Sequence, residues 1–202
     1  FSLTTSTEGQ KKIRFQLPAW RPGRYELGNF SQNIYNWKAY NTKKEILNYK
    51  KINKDLWEVN CDGESEVIIS YSFYANQLDA GSCYLDEKQL YINPVHCIFY
   101  VVDRLNDPYK LDLNIPDNYI IACSLNKKNN SLFGQNFDEI AESPIICSDS
   151  IKHDKYFVDN IKFNLWFQGP CKLDWKKIKN DFSSFTKTQI SQFDSFPCDE
   201  YH

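Results

Sequence analysis

The chain has 202 residues, a formal net charge of −2 and a pI near 6.0, with acidic and basic side chains interspersed. That balance excludes a basic field for nucleic acid or for an anionic lipid surface. No apolar run reaches the length of a membrane-spanning helix. Aromatic residues make up 16% of the chain, including thirteen Tyr and fourteen Phe, a bias toward strands over helices. The length suits one sizeable domain, or one and part of another. No leader-like segment stands at Phe1. No methionine occurs, which reads as an excised or processed piece or as a sequence lacking its natural start.

Taken in chain order, residues 11–17 alternate with Ile13, Phe15 and Leu17 on one face, the pattern of a half-buried strand. The next stretch, Leu17-Pro18-Ala19-Trp20-Arg21-Pro22-Gly23-Arg24-Tyr25, reads as a rigid corner. Pro18 and Pro22 fix their own φ and press Leu17 and Arg21 toward extended backbone. Gly23 after Pro22 suits the position of a type II turn that requires positive φ. Trp20 and Tyr25 are expected to clamp this corner, with Arg21 and Arg24 stacked on them as rim residues.

Residues 30–41 read as an irregular piece entering a strand, and Lys43–Asn53 as its hairpin return. Trp57, Val59 and Cys61 alternate up to the turn dipeptide Asp62-Gly63. Glu66–Ala75 is apolar on both faces around Val67-Ile68-Ile69, which predicts a central strand. Ser82–Asn93 is expected as a hairpin arm around Asp86-Glu87-Lys88, and Val95–Asp103 as a continuous apolar strand. Further short strands are expected over Lys110–Ile115 and Tyr119–Ser124, a hairpin tip at Lys127–Ser131, and a short helix over Phe137–Ala141 plugged by Phe137 and Ile140. This cadence predicts a mainly β fold, an antiparallel β-sandwich or saddle-like domain over residues 1–150. After residue 150 the texture changes. Ile161, Phe163, Leu165 and Phe167 form an alternating strand, and Leu173–Phe193 has helical spacing, with Asp174 at its start and Pro197 past its end. Residues 151–202 are expected to be the first strand and long amphipathic helix of a further, truncated α+β domain.

The side chains that carry chemistry are sparse. Seven cysteines show no Cys-x-x-Cys spacing, Cys83 and Cys97 being the closest at fourteen positions. They read as reduced, buried thiols and lean toward a cytoplasmic location, although export stays open. His96 is expected to be hydrogen-bonded within its strand. Asp138 and Glu139 are adjacent on a short helix, point in different directions and lack a partner for acid–base work. No candidate metal ligands group together.

Four segments together resemble the N-terminal part of the glycyl aminopeptidase family, zinc metallopeptidases with a thermolysin-like catalytic domain and often a PDZ domain. They are Leu17–Tyr25, Lys54–Val59, Val67–Ala75 and Phe137–Ile145, in order and at similar spacing. The positions carrying the signature are Pro18, Trp20, Pro22, Gly23, Trp57 and Tyr71. Arg24 stands where the family commonly has a small residue, and Glu142 where it has aspartate. The resemblance implies a zinc-dependent parent whose catalytic domain, and possible PDZ domain, are the partners of this region. The His-Glu-x-x-His helix, which supplies two zinc ligands and a general base, is absent here, since the histidines are His96, His153 and His202. The expectation is a region without catalytic residues or a metal of its own, inactive alone, serving as scaffold and as a wall of the peptide cleft. Arg21, Arg24, Tyr25, Tyr84 and Asn93 are the candidate cleft residues. Two other functions fit the composition: a β-sandwich binding module for carbohydrate or peptide using Trp20, Tyr35 and Trp37, and an assembly domain docking through the helix.

Overall fold

The computed structural model describes residues 1–24, 26–193 and 196–202. The first strands are β1 (Ser2–Ser6), β2 (Lys12–Gln16), β3 (Ile34–Tyr40), β4 (Tyr49–Lys51), β5 (Leu56–Asn60) and β6 (Glu66–Phe73), with a 3-10 turn at Phe30–Asn33 leading into β3. β7 (Tyr84–Leu85) and β8 (Gln89–Ile92) form the arm. A single helical turn, α1 (Pro94–Cys97), then leads to β9 (Tyr100–Val101). β10 (Tyr109–Asp112), β11 (Ile120–Ala122), β12 (Asn126–Lys128), β13 (Ser131–Gly134), α2 (Phe137–Ala141) and β14 (Ile145–Ser148) follow. Last come β15 (Ile151–Val158), β16 (Ile161–Gln168), α3 (Trp175–Ile190) and β17 (Glu200–Tyr201).

Two antiparallel sheets, ordered β1-β6-β3 and β4-β5-β2-β9, face each other across one apolar core. Alternation builds it: Ile13 and Phe15 from β2, Trp57 and Val59 from β5, Trp37 and Ala39 from β3, and Val67, Ile69 and Tyr71 from β6 all point inward and are buried. β6 is the central strand of its sheet, as its two-sided apolar run predicts. Trp37 stacks on Trp57 at 5.7 Å, and Phe99 meets Trp57 and Tyr71 edge-on. A second core lies under β7-β8-β14-β11 and β10-β13-β12, closed by Phe137 and Ile140 of α2. The Tyr71 hydroxyl ties the two cores together by donating to the Cys97 carbonyl at 2.7 Å. A third core, around Tyr156, Val158 and Phe163, lies between the β15-β16-β17 sheet and α3. Asp174 caps α3 by accepting from the Lys177 N–H at 3.0 Å. α3 is pinned to β15 by the Tyr156–Thr186 hydroxyl pair and by Lys179 on Asp154.

Two expectations are corrected, and one strand is added. Val95–Asp103 is not a continuous strand: Pro94 sits at the first helical position, where its missing N–H costs nothing, and residues 94–97 wind into α1 before the two-residue β9. Lys43–Asn53 is only in part a return of β3. Leu47 still donates to the Ala39 carbonyl, but Tyr49–Lys51 then pairs with β5 in the other sheet. β15 was not expected at all. Its middle, Lys152-His153-Asp154-Lys155, is polar because His153 stacks on Trp166 and Asp154 meets Lys179, so the alternation is hidden.

Glu58 carries the electrostatic centre of the second sheet. Its side chain is only 8% exposed, beneath Arg14 at 3.0 Å, Lys12 at 3.2 Å and Lys50 at 3.5 Å, which are themselves largely in solvent. Hydrogen bonds from Arg14 and Lys12 hold its carboxyl at about 2, below the ordinary 4.5. The depressed value means that its contribution is fully present above about pH 4.5 and is lost as the pH falls toward 2. Glu58→Gln should therefore flatten the fall in thermal midpoint between pH 4.5 and 2, measured by circular dichroism. An unchanged slope would contradict the assignment.

Candidate functional site

The corner after β2 is built as the two prolines dictate. Pro22 and Gly23 occupy the centre of a turn closed by the Arg24 N–H on the Arg21 carbonyl at 3.3 Å, and Gly23 has φ +80°, which glycine adopts freely. The Gly28 N–H donates to the Ala19 carbonyl at 2.7 Å and so draws the excursion into a loop. A Cβ at Gly28 would stand 2.3 Å from the Phe30 ring, so the chain can pass Phe30 only as glycine. Phe30 in turn lies flat on the His96 ring, centroids 4.0 Å apart.

Beside this loop is a cavity of about 250 Å³. Arg21, Arg24 and Glu26 line it from the corner, Gln77 and Asp79 from the loop before β7, and His96 from α1. Arg21, half-buried, crosses to that loop and donates through Nη1 to the Ala80 carbonyl at 3.1 Å. Asn93 Nδ2 donates to the same carbonyl at 3.2 Å. Asp79 accepts the Gly81 N–H at 2.7 Å and the Gln77 amide, which shapes the loop. Arg24 pairs with Glu26. His96 is buried and its Nε2 has no hydrogen-bond partner among the described residues. Burial, with Arg21 and Arg24 nearby, pulls its pKa down to about 4, while Asp79 opposes the shift. At neutral pH it is an uncharged imidazole. The cavity wall therefore combines the Arg21 guanidinium, the Asp79 carboxylate and the neutral His96 imidazole.

Of the expected cleft residues, Arg21 and Arg24 line the cavity and Asn93 buttresses its wall. Tyr84 stands apart in the stem of the arm, its hydroxyl on Asp86 at 3.2 Å. Tyr25 lies outside the described residues. Of the signature residues, Trp57 and Tyr71 are core, and Pro18, Pro22 and Gly23 shape the corner. Trp20 does not clamp it: 53% of its surface is exposed, and the side chain of Arg21 reaches Ala80. Of the aromatics considered for a carbohydrate platform, Trp20 and Tyr35 are exposed but Trp37 is buried. His96 and Asp79 were missed as site residues. Contrary to expectation, His96 lies in a helical turn and not in a strand, and its Nε2 has no partner among the described residues; nothing local in the sequence brings Asp79 toward it. Among the described residues, no group of three or more His, Cys, Asp or Glu side chains is arranged to hold a metal ion. The residues present therefore do not fit a zinc centre.

These residues form a mainly antiparallel β-sandwich with a proline-shaped corner over a polar cavity. The Peptidase M61 N-terminal domain model matches residues 1–149, and the chain belongs to that family. The chain is also similar to the crystal structure of an aminopeptidase N family protein from Idiomarina loihiensis, with a TM-score of 0.90 and 26% sequence identity. That similarity covers 99% of this chain and 35% of the other, so the chain spans about a third of that protein's length. A search of curated proteins returned no match.

Proposed function

We propose that this chain is the non-catalytic N-terminal region of a longer zinc metallopeptidase of the glycyl aminopeptidase type, acting as scaffold and as one wall of its substrate cleft. The observation that carries the reading is the family match over residues 1–149 together with the similarity of nearly the whole chain to about a third of an aminopeptidase. Zinc, its ligands and the general base then belong to residues outside this chain, as would a PDZ domain. A boundary near residue 150 accords with the separate third core around Tyr156 and Phe163. In this reading β15, β16 and α3 begin the catalytic domain, whose remainder covers the exposed Phe185 of α3.

The cavity under Arg21 is the part of the wall facing the peptide. Arg21 has no carboxylate within ion-pair distance among the described residues, whereas Arg24 is spent on Glu26. Arg21→Ala in the longer protein should raise KM for a peptide substrate about tenfold, worth about 1.4 kcal/mol, and leave kcat near the parent value. Arg24→Ala should change KM less. Unchanged kcat/KM in Arg21→Ala would remove the cleft-wall role and leave the scaffold.

A further inference from the structure

Behind the cavity wall two thiols meet. Cys83 follows the last residue of the loop that carries Asp79, and Cys97 follows His96 at the end of α1. Their Sγ atoms are 3.9 Å apart, and both are buried and free. A common backbone anchor, Asn93, aligns them: its carbonyl accepts from Cys83 at 3.6 Å and from Cys97 at 3.7 Å, and its N–H donates to the Cys83 sulfur at 3.4 Å. Asn93 also braces the loop through Ala80. A disulfide needs sulfurs about 2.05 Å apart, so closing this pair asks for a shift of under about 2 Å.

We propose that Cys83 and Cys97 are a reversible redox modification site, closed to a disulfide by a peroxide, that fastens the Asp79 loop to α1 beside the Arg21–His96 cavity. The two thiols are unequal. The neighbouring thiol and the Asn93 N–H on its sulfur lower the Cys83 pKa, while burial drives Cys97 well above the ordinary thiol range. Cys83 is thus the attacking thiolate. It attacks one peroxide oxygen, the O–O bond breaks, and hydroxide leaves a Cys83 sulfenic acid. Cys97 sulfur then attacks the Cys83 sulfur, the S–O bond breaks, and water departs with the thiol proton. In sum, two thiols lose two electrons and two protons, and hydrogen peroxide becomes two waters. Both thiols are buried, at 2% and 0% exposure, so the reaction requires the peroxide to enter by local opening of the exposed Asn76–Ala80 stretch that precedes Cys83.

The test treats the intact protein with hydrogen peroxide, alkylates remaining thiols after denaturation, and maps an unreduced digest by mass spectrometry. The expected product is a Cys83–Cys97 linked peptide as the dominant pairing, removed by dithiothreitol, with Cys61 and Cys147 still alkylated. Alkylation of both Cys83 and Cys97 at full yield, or their oxidation to sulfinic acid without a link, overturns the proposal. The order of steps is read from single variants. Cys97→Ala should leave a dimedone-reactive sulfenic acid on Cys83, and Cys83→Ala should leave Cys97 unmodified; the reverse overturns the assignment of Cys83 as the attacking thiol. If either variant fails to fold, the linked peptide in the unmodified protein decides the matter alone.

Discussion

Phe99→Ala should cost the β-sandwich about 3–5 kcal/mol of stability. The side chain is completely buried where α1 hands the chain to β9. Its ring stands edge-on to Trp57 at 5.1 Å and to Tyr71 at 4.9 Å, so it bridges the two sheets as well as filling the space between them. Truncation removes the transfer free energy of the ring and leaves a cavity that two stiff aromatics cannot collapse into, which places the loss near the upper part of the range for buried aromatics. Whole domains hold about 5–15 kcal/mol in total, so one such loss is a large share. Phe99→Leu, which keeps most of the volume, should lose less. Urea denaturation followed by tryptophan fluorescence measures both. A Phe99→Ala protein within about 1 kcal/mol of the parent would mean that Phe99 is not the keystone of this core.

Local pattern reaches some of this architecture and not the rest. Ile13, Phe15 and Leu17, the Asp62-Gly63 turn, the Phe137 and Ile140 plug and the Asp174 cap are all legible because each is settled by neighbours within a few residues. So is the Pro22-Gly23 turn. The Val95–Val101 run misleads because a short apolar stretch has no period that separates strand from buried helix. Pro94 was the available signal that a helical turn begins there. β15 hides because its polar side chains are satisfied by Trp166 and Lys179, which are distant in sequence. The candidate site was half legible. The proline corner advertised Arg21 and Arg24, but Asp79 and His96 join them only through the pairing of β7 with β8 and the winding of α1. The meeting of Cys83 with Cys97 is likewise a product of tertiary structure, since a separation of fourteen residues carries no sign of it.

On the proposed function, the chemistry of the longer protein belongs to residues outside this chain. His-Glu-x-x-His is absent from the sequence, and no metal-holding group forms among the described residues. What the chain does contain is a rigid sandwich, a polar cavity and, on β15, β16 and α3, a third core with Phe185 of α3 exposed. Enzymes accelerate their reactions by roughly a millionfold or more, so separating the wall from the catalytic centre should take the rate to background. The most direct measurement compares the purified 202-residue chain with the full-length protein on an amino-terminal glycine substrate, with and without a zinc chelator, and determines bound zinc in each. The account predicts no turnover and no bound zinc in the chain alone, and zinc-containing, chelator-sensitive cleavage by the full-length protein. Cleavage by the chain alone, or a full-length protein that binds no zinc and cleaves nothing, would contradict it.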